Sequence, residues 1–315
     1  MTIDILLPVY DGMPYLEEQI RSLQAQTYED WRLFVRDDGS TDGSTEAVRS
    51  AARGDRRILL LEGGGARLGA RESFGWLMAN AGGGSGYTMF CDQDDIWLPH
   101  KVEITLDAMR GAEAACGVDR PVLVHTDLAV VDALLGTLDP SFWHYQGIDP
   151  GLNRLNRLLI QNTVTGCTAM INRPLREMGA PVPPEAVMHD WWLALAAAAF
   201  GSIVPVREAT VLYRQHGRND TGARRRARGI RLLRTALRPF RSAAELRRGI
   251  RAAAAQAGAF AERFGSALPE GDRRTVARFA GLPGCGPLRR RWRIVQLRTL
   301  THQGLVGDIG LVLRA

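Results

Sequence analysis

Lysine is almost absent from this chain: of its 40 basic residues only Lys101 is a lysine, and the rest are arginine. So uniform a preference is compositional and carries little information about phosphate recognition. Cysteine is scarce as well. The four present, Cys91, Cys116, Cys167 and Cys285, are too scattered for a zinc pattern and imply no disulfide framework, so they read as reduced thiols. No secretory leader is legible in MTIDILLPVYDG, which points to a cytosolic protein. The most apolar stretch, residues 191–206, is interrupted by Gly201 and Pro205 and falls short of the roughly 20 residues that a bilayer requires. Neither phosphate-cradling signature, GxxxxGK(S/T) or a strand-linked GxGxxG, occurs; the glycine-rich EGGGARLG at 62–69 reads as a flexible loop.

What is present is unevenly distributed. At 315 residues, with 45% hydrophobic and 23% charged, the composition is that of a globular protein with a sizeable core. The net charge of +6 hides a division. Residues 1–220 hold 19 Lys+Arg against 29 Asp+Glu, whereas residues 221–315 hold 21 Arg against 5 Asp+Glu. A tail at +16 behind a body at −10 argues for a separate role, with an anionic membrane surface or nucleic acid as natural partners. Within residues 228–264, Ile230, Leu233 and Leu237 share one helical side and Pro239 breaks or kinks the helix. Residues 288–300 mix Trp292, Ile294, Val295 and Leu297 with Arg289 to Arg291. A basic amphipathic helix with an embedded tryptophan is the signature of a segment lying in the membrane interface, where each arginine contributes on the order of 1 kcal/mol. The alternative is a solvated helical face packing back on the body. Nucleic acid is disfavoured, because the tail lacks aromatic interleaving and any binding motif.

The body alternates short apolar runs with helical periodicity. Ile3 to Val9, Trp31 to Val35, Ile58 to Leu61 and Gly86 to Cys91 read as strands; Met13 to Gln26 and Thr45 to Arg53 read as helices. This β-α-β-α rhythm predicts an α/β fold with a Rossmann-like, mostly parallel sheet covered on both faces. Ligands collect at the carboxyl ends of such strands. Asp11, the pair Asp37 and Asp38, and the cluster Asp92, Asp94 and Asp95 each directly follow an apolar run, so three acidic loops should converge on one crevice. Asp-Gly-Ser at 38–40 is also a common turn, and Ser40, Thr41 or Asp42 can cap the next helix. Ile96, Trp97, Leu98 and Pro99 read alternatively as a helix start with Pro99 near its first position.

Carboxylates crowded as in CDQDD raise one another's pKa unless a cation or a donor shares the charge. Two of them at i and i+2 can serve a divalent metal and a sugar hydroxyl together, and hard oxygen ligands select Mg²⁺ or Mn²⁺. Such a cation stabilises a departing nucleoside diphosphate.

LLPVYDGMPYLEEQIRSLQAQTYEDWRLFVRDDGSTDGS, then YTMFCDQDDIWLPHK, then HDWW at 189–192 together resemble glycosyltransferase family 2, the inverting enzymes of the GT-A fold. NTVTGCTAMINRPL, HDWW and LYRQHGRNDTGA resemble in particular the bacterial rhamnosyltransferases of cell-surface polysaccharide synthesis. The resemblance covers roughly residues 2–222, and implies a catalytic domain over 1–222 with an arginine-rich helical region over 223–315. It implies a first nucleotide-binding loop at Pro8, Tyr10 and Asp11, a carboxylate for the pyrimidine at Asp38, a ribose contact at Asp92 and a metal ligand at Asp94. Asp95 would orient the loop or help hold the donor sugar. Ser73 stands where the family often has asparagine, which puts a donor contact there in doubt.

An inverting displacement needs a general base for the acceptor hydroxyl, and the resemblance assigns it to Asp190, beside Trp191 at the start of an apolar helix; Asp190 also suits a helix N-cap. Where many members have Glu-Asp, this chain has His189-Asp190. The resemblance further implies His216 as a metal ligand, Arg214 and Arg218 as diphosphate partners, and Gly166 and Cys167 as the floor of the acceptor site, Cys167 being a packed residue and not a nucleophile. His100, His125, His144 and His302 carry no role.

The implied reaction is transfer of L-rhamnose from dTDP-L-rhamnose to a glycan or lipid-linked acceptor at the inner face of the cell membrane. The competing readings are a UDP- or GDP-hexose or N-acetylhexosamine donor on the same fold, and a non-catalytic nucleotide-sugar or glycan binder whose basic tail scaffolds a membrane complex. A nucleotidyltransferase is disfavoured, because LLPVYDGMPYL is not a glycine-rich activating loop.

Overall fold

The segment IDILLPV forms strand β1 (Ile3–Val9) with both faces covered: Ile3, Ile5, Leu6, Leu7 and Val9 are all buried, as befits a central parallel strand. The structure is a computed structural model that describes residues 1–62, 67–82, 84–217 and 243–297. Around β1 run α1 (Leu16–Gln24), β2 (Trp31–Asp37), α2 (Ser44–Gly54), β3 (Ile58–Leu61), α3 (Ala70–Asn80) and β4 (Tyr87–Phe90). Then come β5 (Ile96–Trp97), α4 (Lys101–Cys116), β6 (Val122–Val131), β7 (Thr137–Asp139), α5 (Phe142–Gln146) and α6 (Leu155–Leu158). A 3-10 turn (Gly166–Thr168), β8 (Ala169–Asn172), α7 (Arg173–Gly179), α8 (His189–Phe200) and β9 (Ser202–Arg214) complete the body.

The sheet has nine strands in the order β3-β2-β1-β4-β8-β6-β9-β5, with β7 on β6. The first four pair in parallel, Ile3 facing Trp31 and Tyr87, so the carboxyl ends of β1, β2 and β4 lie side by side and their acidic loops leave from one edge. The expectation of a mostly parallel sheet holds for this half only. β8 runs antiparallel to both β4 and β6, and β5 antiparallel to β9, while β6 and β9 are parallel. Antiparallel neighbours need no crossover helix, and β6 accordingly runs on to β7 without one, whereas α5 and α6 precede β8 and α7 and α8 precede β9. Ile96 and Trp97 are a short strand on β9, not a helix start; α4 begins at Lys101 behind His100.

Helix α8 reads apolar all round, as a helix covered on every side should, and Trp192 to Ala197 are buried. Part of its cover comes from the arginine-rich region. There α9 (Ala243–Phe264), α10 (Glu270–Ala280) and α11 (Pro287–Gln296) share one apolar cluster with α8, contributing Ile250, Ala253, Ala254, Ala257, Phe260, Val276, Phe279 and Ile294. Each large apolar side chain buried there contributes about 1.5–3 kcal/mol. The Trp192 ring meets Phe260 edge-on at 5.5 Å and donates its Nε1–H to Gly179 O at 3.0 Å. Gln256 accepts from Val187 N at 2.9 Å, and Arg263 caps the carbonyls of Met178 and Pro181. The alternative of packing back on the body therefore describes residues 243–297. Ile230, Leu233, Leu237 and Pro239 lie outside the described residues, as do Arg218 and His302. Among the described residues no helix is long and apolar enough to cross a membrane.

Candidate active site

The loops after β1 and β2 are stitched together by backbone donors and short side chains. Asp11 has a left-handed φ of 44°; its N–H donates to Ser40 Oγ at 3.0 Å, and its carboxylate accepts from Thr41 N at 2.8 Å. Gly12 and Met13 donate to Ser44 Oγ and Asp42 Oδ2 at 2.9 and 2.8 Å. Tyr10 closes the third side: its N–H donates to Gln93 Oε1 at 2.8 Å and its carbonyl accepts from Gln93 Nε2 at 2.9 Å. Pro8 lies two residues further back, in β1, opposite Arg36. The three acidic loops thus do meet, and the middle residue of Asp-Gln-Asp is the joint. Sequence reasoning passed over Gln93, because an amide bridging two loops has no local signature.

The pair Asp37 and Asp38 divides its labour. Asp37 holds its own turn, accepting from Ser40 N and from Thr45 Oγ1 at 2.9 Å, so the common-turn reading describes it. Asp38 is buried and faces the other way, gripping the start of α3 through Leu68 N and Gly69 N, each at 2.7 Å, and pairing with the buried Arg36 guanidinium. Burial by itself would raise this carboxyl, but the Leu68 N–H, Arg36 and the Gly69 N–H together outweigh it and hold the group below its ordinary range. The end of EGGGARLG is therefore a clasp; residues 63–66 lie outside the described residues. Ser73 is fully buried and accepts from Arg36 Nη1 at 2.9 Å, so it braces the Asp38 partner.

The acidic loop after β4 splits between two sides. Asp94 faces outward to His216, with Oδ2 at 2.7 Å from Nε2, and the imidazole stacks on Tyr15 at 4.7 Å. Asp95 points inward and is fully buried; it accepts from Arg214 N at 3.1 Å. Burial first, then the charges of Asp94 and Asp92, push its carboxyl well above the ordinary range. Arg214 donates to Asp94 O, Ala133 O and Glu18 Oε2 and lies over the Tyr15 ring. It therefore braces the loop.

Asp92, Asp95 and Cys167 bring a ligand atom each to within 4.8 Å of one another. Burial keeps the Cys167 thiol protonated, its pKa well above the usual range, which leaves an oxygen-rich group suited to a hard divalent cation and not to a soft one. Asp94 and His216, the expected metal ligands, are not in that group; they pair with each other at 2.7 Å.

The 3-10 turn joins this group to Asp190. Cys167 sits against Asp92 and Asp95, while Gly166 packs so closely on α8 that a Cβ there would lie 3.1 Å from His189 Nε2 and 3.5 Å from Asp190 Cβ. Asp190 accepts from Trp191 N at 2.6 Å and also from Gly166 N and the Asn162 side chain. Met188, not Asp190, is the N-cap residue. Burial is the dominant influence on the Asp190 carboxyl and, against these donors, pushes it up to about 6, a value suited to a general base near neutrality. Trp191 is tied to α6 through its Nε1–H to Leu158 O at 2.5 Å. His189 is wedged between Phe74 and Phe90, ring centroids 4.0 and 4.8 Å away, and desolvation lowers its pKa to about 3. The residue in place of a second carboxylate is thus a neutral aromatic spacer.

The sequence matches Glycosyl transferase family 2 over residues 4–178. It is 25% identical over 235 residues to an uncharacterized glycosyltransferase of Nostoc sp., covering 70% of this chain and 66% of that protein. It is 26% identical over 175 residues to the putative teichuronic acid biosynthesis glycosyltransferase TuaG of Bacillus subtilis, covering 54% and 62%. The chain thus spans just under two thirds of the length of these relatives. Among solved structures it superposes on S. aureus TarS 1–349 in complex with UDP-GlcNAc with a TM-score of 0.59 at 12% identity, covering all of this chain and 89% of that one. That likeness extends to the C-terminal helices and identifies the α/β architecture as GT-A. With more than half its length matched, the chain belongs to glycosyl transferase family 2.

Proposed function

We propose that the chain is an inverting, metal-dependent glycosyltransferase of cell-surface polysaccharide synthesis, with residues 1–222 as catalytic domain and 223–315 as an appended helical region. The observation that carries the reading is the turn Gly166–Thr168, which sets a desolvated carboxyl, Asp190, beside the acidic loop that follows β4. Pro8, Tyr10, Asp11 and Asp38 bind the nucleotide and Asp92 its ribose, while Asp95, Gly166, Cys167, Trp191 and Arg214 shape the donor and acceptor pocket. Asp190 takes the proton of the acceptor hydroxyl. The oxygen then attacks the anomeric carbon from the face opposite the diphosphate, and the bond to the diphosphate breaks with its electron pair. Asp94 and His216 would hold Mg²⁺ or Mn²⁺, which when bound neutralises charge on the departing diphosphate.

For the donor we propose dTDP-L-rhamnose, on the resemblance of NTVTGCTAMINRPL and LYRQHGRNDTGA to rhamnosyltransferases. The acceptor is a glycan or a lipid-linked glycan, in keeping with a relative named for teichuronic acid biosynthesis. Thermal unfolding across a panel of nucleotide sugars with Mn²⁺ or Mg²⁺ tests this, since a ligand of the native state raises the midpoint. Stabilisation by dTDP-rhamnose plus metal is expected, and Asp94→Ala should remove the metal-dependent part. Stabilisation by a UDP or GDP sugar alone would discard rhamnose, and no response to any donor would discard the enzyme.

We also propose that the protein works from the cytoplasm at an anionic membrane surface. Ile294 and Leu297 of the basic stretch turn inward, whereas Leu288, Trp292 and Val295 are 79%, 62% and 48% exposed on one side of α11, among Arg289 and Arg291. That is the geometry of an interfacial helix. Charging this face with Leu288→Glu and Trp292→Glu should lower co-sedimentation with anionic liposomes several-fold while leaving the inward residues alone. Equal sedimentation of variant and wild type would sink the membrane assignment.

A further inference from the structure

Helix α3 lies between the two halves of the site and touches both. The clasp holds its N-terminus: Leu68 N and Gly69 N, the last two backbone donors before Ala70, reach the two Asp38 oxygens at 2.7 Å each. Its side carries the strap of residues 182–188 that leads into α8. Arg71 Nη1 donates to Pro184 O and to Ala186 O, both at 2.7 Å, while Nη2 pairs with Glu72. Phe74 meets the His189 ring at 4.0 Å, and a Cβ on Gly75 would stand 3.4 Å from Val182 Cβ. Residues 71, 74 and 75 are neighbours on one helical face, so the strap lies along one side of α3 and Asp190 follows at its end. Pro183 and Pro184 have no N–H to give. Apart from the turn from Ala186 N to Pro183 O, the strap therefore hangs on side chains, Arg71 for its carbonyls and Gln256 for Val187 N.

We propose that Arg71 is a positioning residue: through it, the helix that Asp38 clasps fixes where Asp190 stands relative to the nucleotide pocket. The choice of arginine follows from chemistry. A planar guanidinium holds two carbonyls in one fixed geometry, whereas an ammonium on a flexible stem has donors enough but no fork to orient them. Proton transfer is sensitive to such placement, since an error of about 1 Å in a reacting group costs on the order of 10²-fold in rate. The inference rests on the reading of Asp38 and Asp190 as nucleotide carboxylate and base for its purpose, and hydrogen exchange in the ligand-free protein tests it without that reading.

Arg71→Met keeps the stem and deletes the donors. In the full chain without ligand, amide exchange over residues 186–192 should quicken several-fold while that of β1 stays as it is. Asp38→Asn should quicken the same amides. Combined with Arg71→Met it should add nothing, because the clasp reaches the strap through Arg71. Unchanged exchange in Arg71→Met, or additive effects of the two substitutions, overturns the proposal. In metal-dependent hydrolysis of dTDP-rhamnose, Arg71→Met should lower kcat about 10²-fold with KM within about twofold of wild type, and Arg71→Lys should recover most of the loss. A residue that only supports the fold would lower the melting temperature and leave kcat of the folded enzyme alone, and that result also overturns the proposal. Should Arg71→Met be insoluble, Arg71→Gln, too short to hold both carbonyls, takes its place in every arm. Absence of hydrolysis by the wild type would count against the donor reading, and the exchange pattern would still decide the role of Arg71.

Discussion

Asp190→Asn should abolish transfer and stabilise the protein. Loss of a general base costs about 10²–10⁴-fold in turnover, while the loops that grip the nucleotide are untouched, so donor binding should survive. The stability gain follows from the raised carboxyl. The native state holds its proton up to about pH 6, whereas the unfolded chain releases it near 3.8. Between those values the native state binds more protons, so stability falls as pH rises, by up to about 3 kcal/mol above pH 6. Asparagine has no such penalty. Its melting temperature should exceed that of wild type at pH 7.5 and converge with it near pH 4. The wild-type rate should rise with pH through a limb near 6. Near-normal turnover in Asp190→Asn would refute the base assignment, and a melting difference independent of pH would refute its desolvation.

Mild acid should unfold the protein through two buried histidines without a proposed catalytic role. His125 and His189 are buried, neither ring nitrogen of either has a hydrogen-bond partner among the described residues, and desolvation lowers both pKa values to about 3. Unfolded, each binds a proton near 6.5. Their neutrality is therefore free of cost above that pH and increasingly costly below it. At pH 5 each contributes a loss of about 2 kcal/mol, partly offset by the opposite slope of Asp190. Denaturant titrations at pH 7 and 5 should differ by roughly 3 kcal/mol. The window lies above the range where Asp55, held near 2 by Arg57, begins to matter. His125→Phe with His189→Phe should flatten the profile whatever it does to absolute stability. His189 has phenyl neighbours to receive the new ring, and His125 lies edge-on to Trp143 at 5.4 Å. An unchanged slope would show that these imidazoles are not the acid-sensitive groups.

The parallel half of the sheet was legible because each buried strand is a mainly apolar run and each functional loop begins where the run stops. Ile3 to Val9 and Ile58 to Leu61 are strands with those limits, and Asp11, Asp38 and Asp92 fall where their loops meet. The other half was illegible for a physical reason. β8 is four residues long and takes its two partners from Tyr87–Met89 and Leu123–His125, so no local period announces it. Within the site, Gln93 and the Asp38 clasp depend on groups 30 to 83 residues away. The arginine count of the tail suggested a separate polymer and masked a plainer signal, the stripe Ala253, Ala254, Ala257 and Phe260, whose spacing is that of a helix face turned to a core.

The docking of α9 against α8 makes the C-terminal region a mount for the carboxyl proposed as general base. Asp190 stands at one end of α8, and Trp192, two residues on, is clamped between Gly179 and Phe260. A chain ended after residue 222 would lose that clamp. The same rigid stack joins α11, through Ile294, to the body. On the proposed reading, a surface that holds the exposed side of α11 would fix how far above it the base works, and with that the length of acceptor that can reach.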